Sequence, residues 1–283
     1  MPLYPLLFHP IHKKMIWGSE SWDISCRHNP GEMGIIENGP LAGTAFDEAI
    51  SADPLALLGT RAYEIYKKRG FPLLVKIIAA NDDLSVQVHP DDDYAAAHGF
   101  ESGKSEMWYI IEAPEGQSLI IGLKDDATPE KLRNDPLSCL KRLPIKKGDI
   151  INIPAGLVHA ITNGVVLAEV QQNSDVTFRL YDYGRLGPDG KPRELHQDHG
   201  IAAADFQPVR SSDRLDQFNV AKQEVAGSLT ESSDPKSFTI YTCVEGSCTI
   251  NEVPLTNKRS VFIPATLGPY TITGTAILLK SSV

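Results

Sequence analysis

The stretch Ser85-Val86-Gln87-Val88-His89-Pro90-Asp91-Asp92 decides how the rest of the chain is read. It alternates as a strand does, so Ser85, Gln87 and His89 share one face while Val86 and Val88 take the other. Three polar side chains in a row are a poor lining for a β core. They suit a face that meets a cavity or a metal ion. Read alone, the pattern fits a half-exposed strand of a surface sheet equally well.

Working outward, residues 73–78 form an apolar strand before this stretch, and 91–98 a short helix after it. Asp91, Asp92 and Asp93 cap that helix at its positive end, and Gly99 stops it. Residues 106–111 and 117–121 read as two strands joined by a Pro-Glu-Gly turn. A short helix opens at Thr128-Pro129-Glu130, and strands resume at 143, running on through 153, 165–172 and 177–181. Between 44 and 69 the pattern is helical, with Thr44 and Asp53-Pro54 as caps and a helix over 60–69 before Gly70. Residues 1–40 are short strands and loops, where Trp17 and Trp22 line a pocket or, more commonly for tryptophan, pack. Residues 205–237, including Arg210-Ser211-Ser212-Asp213, lose the pattern and read as linker and loop; 238–283 is again β. Many short strands with Gly/Pro turns predict a mainly β fold, a sandwich or jelly roll.

Composition bounds the function. The 283 residues are 42% hydrophobic and 22% charged, ordinary for a soluble globular chain. A net charge of −9 argues against nucleic acid or an anionic membrane as partner. The four cysteines, Cys26, Cys139, Cys243 and Cys248, have no Cys-x-x-Cys spacing, which points to reduced thiols and a cytoplasmic location. Lys13 and Lys14 follow the apolar residues of the N-terminus instead of preceding them, so no signal peptide is expected, and no apolar run approaches membrane-spanning length.

A second stretch, Gly148 to Asn163, has the spacing Gly-x5-Pro-x-Gly-x2-His-x3-Asn through Pro154, Gly156 and His159. This resembles the second motif of the cupin superfamily at every fixed position. The resemblance implies a small jelly-roll barrel in which His159 faces inward as a metal ligand. The first cupin motif has His-x-His followed by Glu; here Gln87-x-His89 precedes Glu106, with glutamine in place of the first histidine. That departure, with Gly103-Lys104-Ser105-Glu106-Met107-Trp108-Tyr109 and Glu169 to Asp175 through Arg179, is similar to type I mannose-6-phosphate isomerases, and to their short members in particular. There is also an internal echo. Ile153-Pro154-Ala155-Gly156-Leu157-Val158-His159 is matched by Ile263-Pro264-Ala265-Thr266-Leu267-Gly268-Pro269, with Pro269 where the first copy has His159. The expected organisation is a cupin-type jelly-roll barrel over 1–210 with a few short helices, a linker over 211–237 and a smaller, metal-free cupin-like β lobe over 238–283.

The resemblance implies one zinc ion held by Gln87, His89, Glu106 and His159. Imidazole, carboxylate and amide oxygen all suit zinc, although two histidines and one carboxylate alone also form the triad of iron oxygenases. It further implies Arg179 as a catalytic arginine, Lys104 as an active-site lysine on the metal side of its strand, and Ser85 as a substrate contact. Arg185 is a weaker match, at a place where other members carry lysine. An Arg fork and a Lys point charge are a fitting clamp for a phosphate monoester. The expected activity is interconversion of mannose 6-phosphate and fructose 6-phosphate through an enediol, with Asp175 assisting by orienting Arg179 or moving a proton. The sequence does not single out the base. The alternatives are a non-heme iron cupin oxygenase and a non-catalytic sugar-binding cupin. The expected partner is a small sugar phosphate, with no nucleic acid and no membrane, for a monomer or homodimer. His9, His12, His28, His98, His196 and His199 have no motif support and read as structural or surface residues.

Overall fold

Val86 and Val88 are fully buried and Gln87 between them only partly so, which realises the alternation of the central stretch on two faces. The structure is a computed structural model that describes residues 3–187, 189–207 and 215–283. In chain order its strands are β1 (Ile11–Met15), β2 (Gly18–Ile24), β3 (Leu73–Ala80), β4 (Val86–Val88), β5 (Glu106–Glu112), β6 (Ser118–Leu123), β7 (Leu140–Pro144), β8 (Ile150–Ile153), β9 (His159–Ala160), β10 (Val166–Gln172), β11 (Phe178–Tyr181), β12 (Asn219–Ser232), β13 (Thr239–Ile250), β14 (Val253–Thr256), β15 (Ser260–Ile263) and β16 (Pro269–Ser282).

They form three sheets, ordered β1-β2-β3-β10-β5-β8, β11-β4-β9-β6-β7 and β12-β16-β13-β14, with β15 paired to β13. Each is an open path ending on edge strands, which corrects the expected jelly-roll barrel. The fold is mainly β with cupin-like sheets, and among the described residues no sheet closes on itself. Alternation reports which face of a strand is buried; closure depends on tilt and stagger, which the pattern does not encode.

The chain divides into two compact units, one of Met1–Lys13, Ser21–Ile77 and Asp216–Val283, the other of Lys14–Glu20 and Ile78–Leu215. In the second unit, Trp108 and Ile110 of β5, Ile151 and Ile153 of β8 and Leu167 of β10 pack against Leu119 and Ile121 of β6. The first two sheets therefore share an apolar core there. Each such side chain contributes roughly 1.5–3 kcal/mol by leaving water. On the opposite face of the second sheet, Val86, Val88, Ile120, Ala160, Phe178 and Leu180 pack with Leu132 and Ile201, from the short helices Pro129–Asn134 and Gln197–Ala203.

The first unit holds the third sheet, with a core of Tyr241, Ile250, Leu255, Val261, Ile272 and Leu278. Its helices are Phe46–Ala52, Pro54–Leu58 and Thr60–Arg69. Asp53 caps the second by accepting from the Ala56 N–H, but Ala45, not Thr44, holds the cap position of the first. Trp22 packs beneath Lys13, whose Nζ lies 3.7 Å from the ring centroid, and Trp17 joins the core of the second unit. Both tryptophans pack.

Part of the stretch read as linker is a strand: β12 pairs with β16 along all fourteen of its residues. Only Val225 of β12 is buried, so the apolar alternation that marks a strand in sequence is missing. The remainder at 208–214 lies outside the described residues. The internal echo has a structural counterpart. Leu157 N–H donates to Pro154 O at 3.1 Å, Leu267 N–H donates to Pro264 O at 3.2 Å, and the next strands open at His159 and Pro269 respectively. All four cysteines are buried and none forms a disulfide among the described residues. Among the described residues no helix is long and apolar enough to cross a membrane.

Candidate active site

The inner face of the second sheet and that of the first meet at a polar spot within their shared core. On β4 the parity that buries Val86 and Val88 outward turns Gln87 inward. Gln87 stands opposite His159 of β9, and Arg179 of β11 stands opposite Gln87, so the three form one row across the sheet. From the other sheet, Glu106 and Trp108 of β5 share the face of the core residues Ile110 and Ile153.

Two glycines set this geometry. Gly156, at φ 86°, makes the turn before His159, and its N–H donates to His89 O at 2.8 Å, tying the two histidine segments together. At Gly103 a Cβ would lie 2.4 Å from the Asp91 carbonyl carbon, so only glycine lets this segment pass before Lys104 and Glu106. Asp91 caps the helix Asp92–Ala97 by accepting from Tyr94 N–H at 2.7 Å, as the sequence predicts. Asp92 accepts from Gly103 N–H at 2.9 Å and from Gln172 Nε2 at 3.2 Å, while Gln172 Oε1 accepts from Ser105 N–H at 2.8 Å. The acidic run therefore organises the segment carrying Lys104 and Glu106.

His89, Glu106 and His159 are almost fully buried and place one ligand atom each within 4.8 Å of one another. His89 Nδ1 lies 2.9 Å from Val176 O and His159 Nδ1 2.8 Å from Leu157 O. A ring whose Nδ1–H is given to a carbonyl presents a lone pair at Nε2. Both Nε2 atoms are buried without a hydrogen bond, although they lie 3.2 Å from Glu106 Oε1 (His89) and 3.9 Å from Glu106 Oε2 (His159). Ligands about 2.0–2.2 Å from a common ion stand roughly 3.3–3.6 Å apart in a tetrahedral shell, so the set fits a divalent metal.

Electrostatics hold the same protonation state. Burial and the neighbouring Lys104 push the His89 imidazole down to about 3, and burial also lowers His159. Burial works against ionisation of Glu106, but Lys104, 2.8 Å away at Oε1, and the histidines hold its carboxyl well below the usual range. Two neutral imidazoles and one carboxylate are what a metal requires.

Lys104 is buried at this centre and Ser85 is buried just before β4. Arg179 is half-buried beside Gln87, and Asp175 is exposed, four residues earlier in the chain. Arg185 is tied to Asp182 and to the carbonyl of Asp83. Three further participants were not legible in the sequence. Trp108 Nε1–H points to both Glu106 Oε2, at 3.1 Å, and Glu169 Oε2, at 2.9 Å, bridging two buried carboxylates. His196 Nδ1 accepts from the Arg179 N–H at 3.2 Å. Asp182 binds Arg193 as well as Arg185. Parity could have found Trp108 and Glu169, because each sits on the inward face of its strand; nothing local marks Asp182 or Arg193.

Comparison with known proteins points to one family. Residues 13–118 match the family described as phosphomannose isomerase type I, catalytic domain, and residues 213–283 match mannose-6-phosphate isomerase, cupin domain. The chain is 32% identical to the mannose-6-phosphate isomerase ManA of Bacillus subtilis over 99% of each chain. It is 37% identical to the mannose-6-phosphate isomerase of Streptococcus mutans, over 70% of this chain and 66% of that one. The crystal structure of the mannose 6-phosphate isomerase from Bacillus subtilis superposes with a TM-score of 0.87 at 30% identity, covering 99% of both chains. With its His89–Glu106–His159 centre in place, the chain belongs to the type I mannose-6-phosphate isomerases of the cupin superfamily.

Proposed function

We propose that the chain is a metal-dependent aldose–ketose isomerase that interconverts mannose 6-phosphate and fructose 6-phosphate, with one zinc ion held by Gln87, His89, Glu106 and His159. The observation that carries this reading is the pair of buried, hydrogen-bond-free Nε2 atoms facing one ionised carboxylate. A proton moves between C1 and C2 of the open-chain sugar through an enediol, which builds negative charge on the sugar oxygens. A bound metal supplies Lewis-acid stabilisation of that charge.

The chain's own groups do the rest. Gln87 adds an amide oxygen to the ligand set from the row it shares with His159. Lys104, beside Glu106, places a cation where charge develops, and Arg179, from the same row as Gln87, holds the substrate with a planar fork. Ser85 contacts the sugar, and Asp175 orients Arg179 or moves the proton. Trp108 keeps Glu106 aimed by its indole N–H. The burial of the centre excludes bulk water, which strengthens each of these interactions. The partner is a small sugar phosphate encountered in the cytoplasm, and neither nucleic acid nor membrane is part of the reading.

A coupled assay run in both directions tests it. Fructose 6-phosphate formed from mannose 6-phosphate without oxygen supports the isomerase, whereas oxygen consumption with iron loaded and indifference to the phosphate would favour an oxygenase on the same triad.

A further inference from the structure

Asp182 is a buried carboxylate, 4% exposed, on which two guanidinium groups converge. Arg193 donates from Nε to Oδ2 and from Nη2 to Oδ1, both at 2.6 Å, in a bidentate fork. Arg185 donates from Nη2 to Oδ1 at 2.6 Å. The two arginines differ in what they have left. Arg185 also donates from Nε to the Asp182 carbonyl and from Nη1 to the Asp83 carbonyl, so all three of its nitrogens are engaged. Its plane also faces the Tyr183 ring, with Cζ 5.1 Å from the centroid. A guanidinium carries five N–H groups. Arg193 uses two of them on Asp182, and among the described residues its Nη1 has no partner.

The backbone brings Arg193 to the substrate side. His196 N–H donates to Arg179 O at 2.8 Å and Arg179 N–H to His196 Nδ1 at 3.2 Å, so the segment ending at His196 runs beside β11. Arg193 N–H donates to Arg185 O at 3.3 Å. Burial, and after it the charge of Arg193, lowers the Arg179 guanidinium from its ordinary value, so Arg193 is the charge that acts on it most. Among the described residues the Arg179 guanidinium has no ion pair or side-chain hydrogen bond. The other nearby carboxylates, Asp82 and Glu194, are largely exposed and screened by water. Two guanidiniums therefore share one buried carboxylate and the charge of a third, Arg179, is left unpaired near them, an excess of positive charge that a dianion would neutralise.

We propose that Arg193, held by Asp182, is the second guanidinium of a phosphate clamp whose first is Arg179, and that Arg185 braces the pair from behind. The inference rests on the sugar-phosphate reading above and deepens it. It moves the phosphate contact from Arg185 to Arg193. Asp182 is a positioning residue: it touches no substrate, but it fixes the plane of the Arg193 fork, and a fork must be fixed to meet two phosphate oxygens at once.

The test uses the full-length, zinc-supplemented chain and two independent readouts: the dissociation constant for inorganic phosphate, measured calorimetrically, and KM and kcat for mannose 6-phosphate. Arg193→Ala is expected to weaken phosphate binding and raise KM about 10- to 100-fold, with a smaller effect on kcat. Arg193→Lys keeps the charge and the contact with Asp182 but loses the fork, so it recovers part of that loss. It also serves if Arg193→Ala fails to fold beside a stranded Asp182. Asp182→Asn is expected to raise KM while every cation stays in place, an effect that charge loss alone cannot give. Folded variants at position 193 that bind phosphate and mannose 6-phosphate within twofold of the parent chain would overturn the clamp. Arg193-dependent phosphate binding without sugar turnover would support the clamp and refute the isomerase assignment; turnover that ignores position 193 would do the reverse.

Discussion

Gln87 and His159 face each other in the antiparallel pairing of β4 with β9, and the row continues to Arg179 on β11. Directly opposed residues project to the same side with Cβ atoms roughly 4.5–5.5 Å apart. One strand of separation thus lies between the cation on β11 and the histidine of the metal centre, within reach of a single open-chain sugar. On the proposed reading, the β9 end of the row would hold metal and the β11 end substrate.

Arg179→Ala separates the two ends. Because Arg179 meets the proposed ligand set only as the cross-strand neighbour of Gln87, with no hydrogen bond or ion pair to it among the described residues, the variant is expected to keep its metal and its melting temperature while losing about 100- to 1000-fold in kcat/KM, the scale seen when a preorganised charge-stabilising donor is removed. Elemental analysis beside steady-state kinetics checks this; metal loss in the variant would show that Arg179 supports the centre itself.

Trp108→Phe removes one N–H and little volume. The indole points to Glu106 and Glu169 at 3.1 and 2.9 Å, so its loss leaves two buried carboxylates without their shared donor. We expect metal to be held about 10- to 100-fold more weakly, as is usual when the outer partner of a ligand is deleted. Competition with a fluorescent chelator measures it. Unchanged affinity would mean that Glu106 is positioned by Lys104 alone.

Gly156→Ala tests the turn that delivers His159. At φ 86° a Cβ is strained, and it would meet Ala203 O at 3.3 Å and the Asp205 Cβ at 3.4 Å. The variant is expected to lose at least about 1 kcal/mol in a denaturant melt and to bind metal less tightly, because the His89 carbonyl is held by the same residue's N–H. Loss of stability with intact metal affinity would uncouple the turn from the centre.

Asp23 gives a pH signature in which none of the proposed metal ligands takes part. Burial raises its carboxyl to about 6, with Arg259 and the Ser260 N–H, 2.6 Å away, opposing that shift only in part. The folded state therefore binds a proton more tightly than the unfolded chain. Its contribution is greatest below the unfolded value of 3.8 and is lost as pH rises through about 6. The difference is on the order of 3 kcal/mol. Asp23→Asn removes this dependence, so relative to the parent it should gain stability between pH 4.5 and pH 7.5. Urea melts at the two pH values read this directly, and a gap between parent and variant that does not move with pH would contradict it.

How much of this is legible in the sequence varies by feature. Local chemistry is readable: the helix Thr60–Arg69 lies where its pattern places it, and Asp53, Asp91 and Thr128 each cap a helix by accepting a backbone N–H. His89, Glu106 and His159 are readable because their spacing resembles a family motif, and the structure brings them together. The strand β12 is not, because a mostly exposed edge strand has no apolar alternation to display. That the sheets stay open instead of closing into the expected barrel is not, because closure depends on the tilt and stagger of strands far apart in sequence. The Asp182–Arg193 fork spans eleven residues across a loop and leaves no periodic trace.

The central claim is that the His89–Glu106–His159 centre carries a metal on which isomerisation depends. Purified protein stripped with a chelator should lose turnover of mannose 6-phosphate and regain it on titration with zinc, with full activity reached at one equivalent per chain and no recovery in His159→Ala. Turnover that persists in protein shown by elemental analysis to be free of metal would contradict the account.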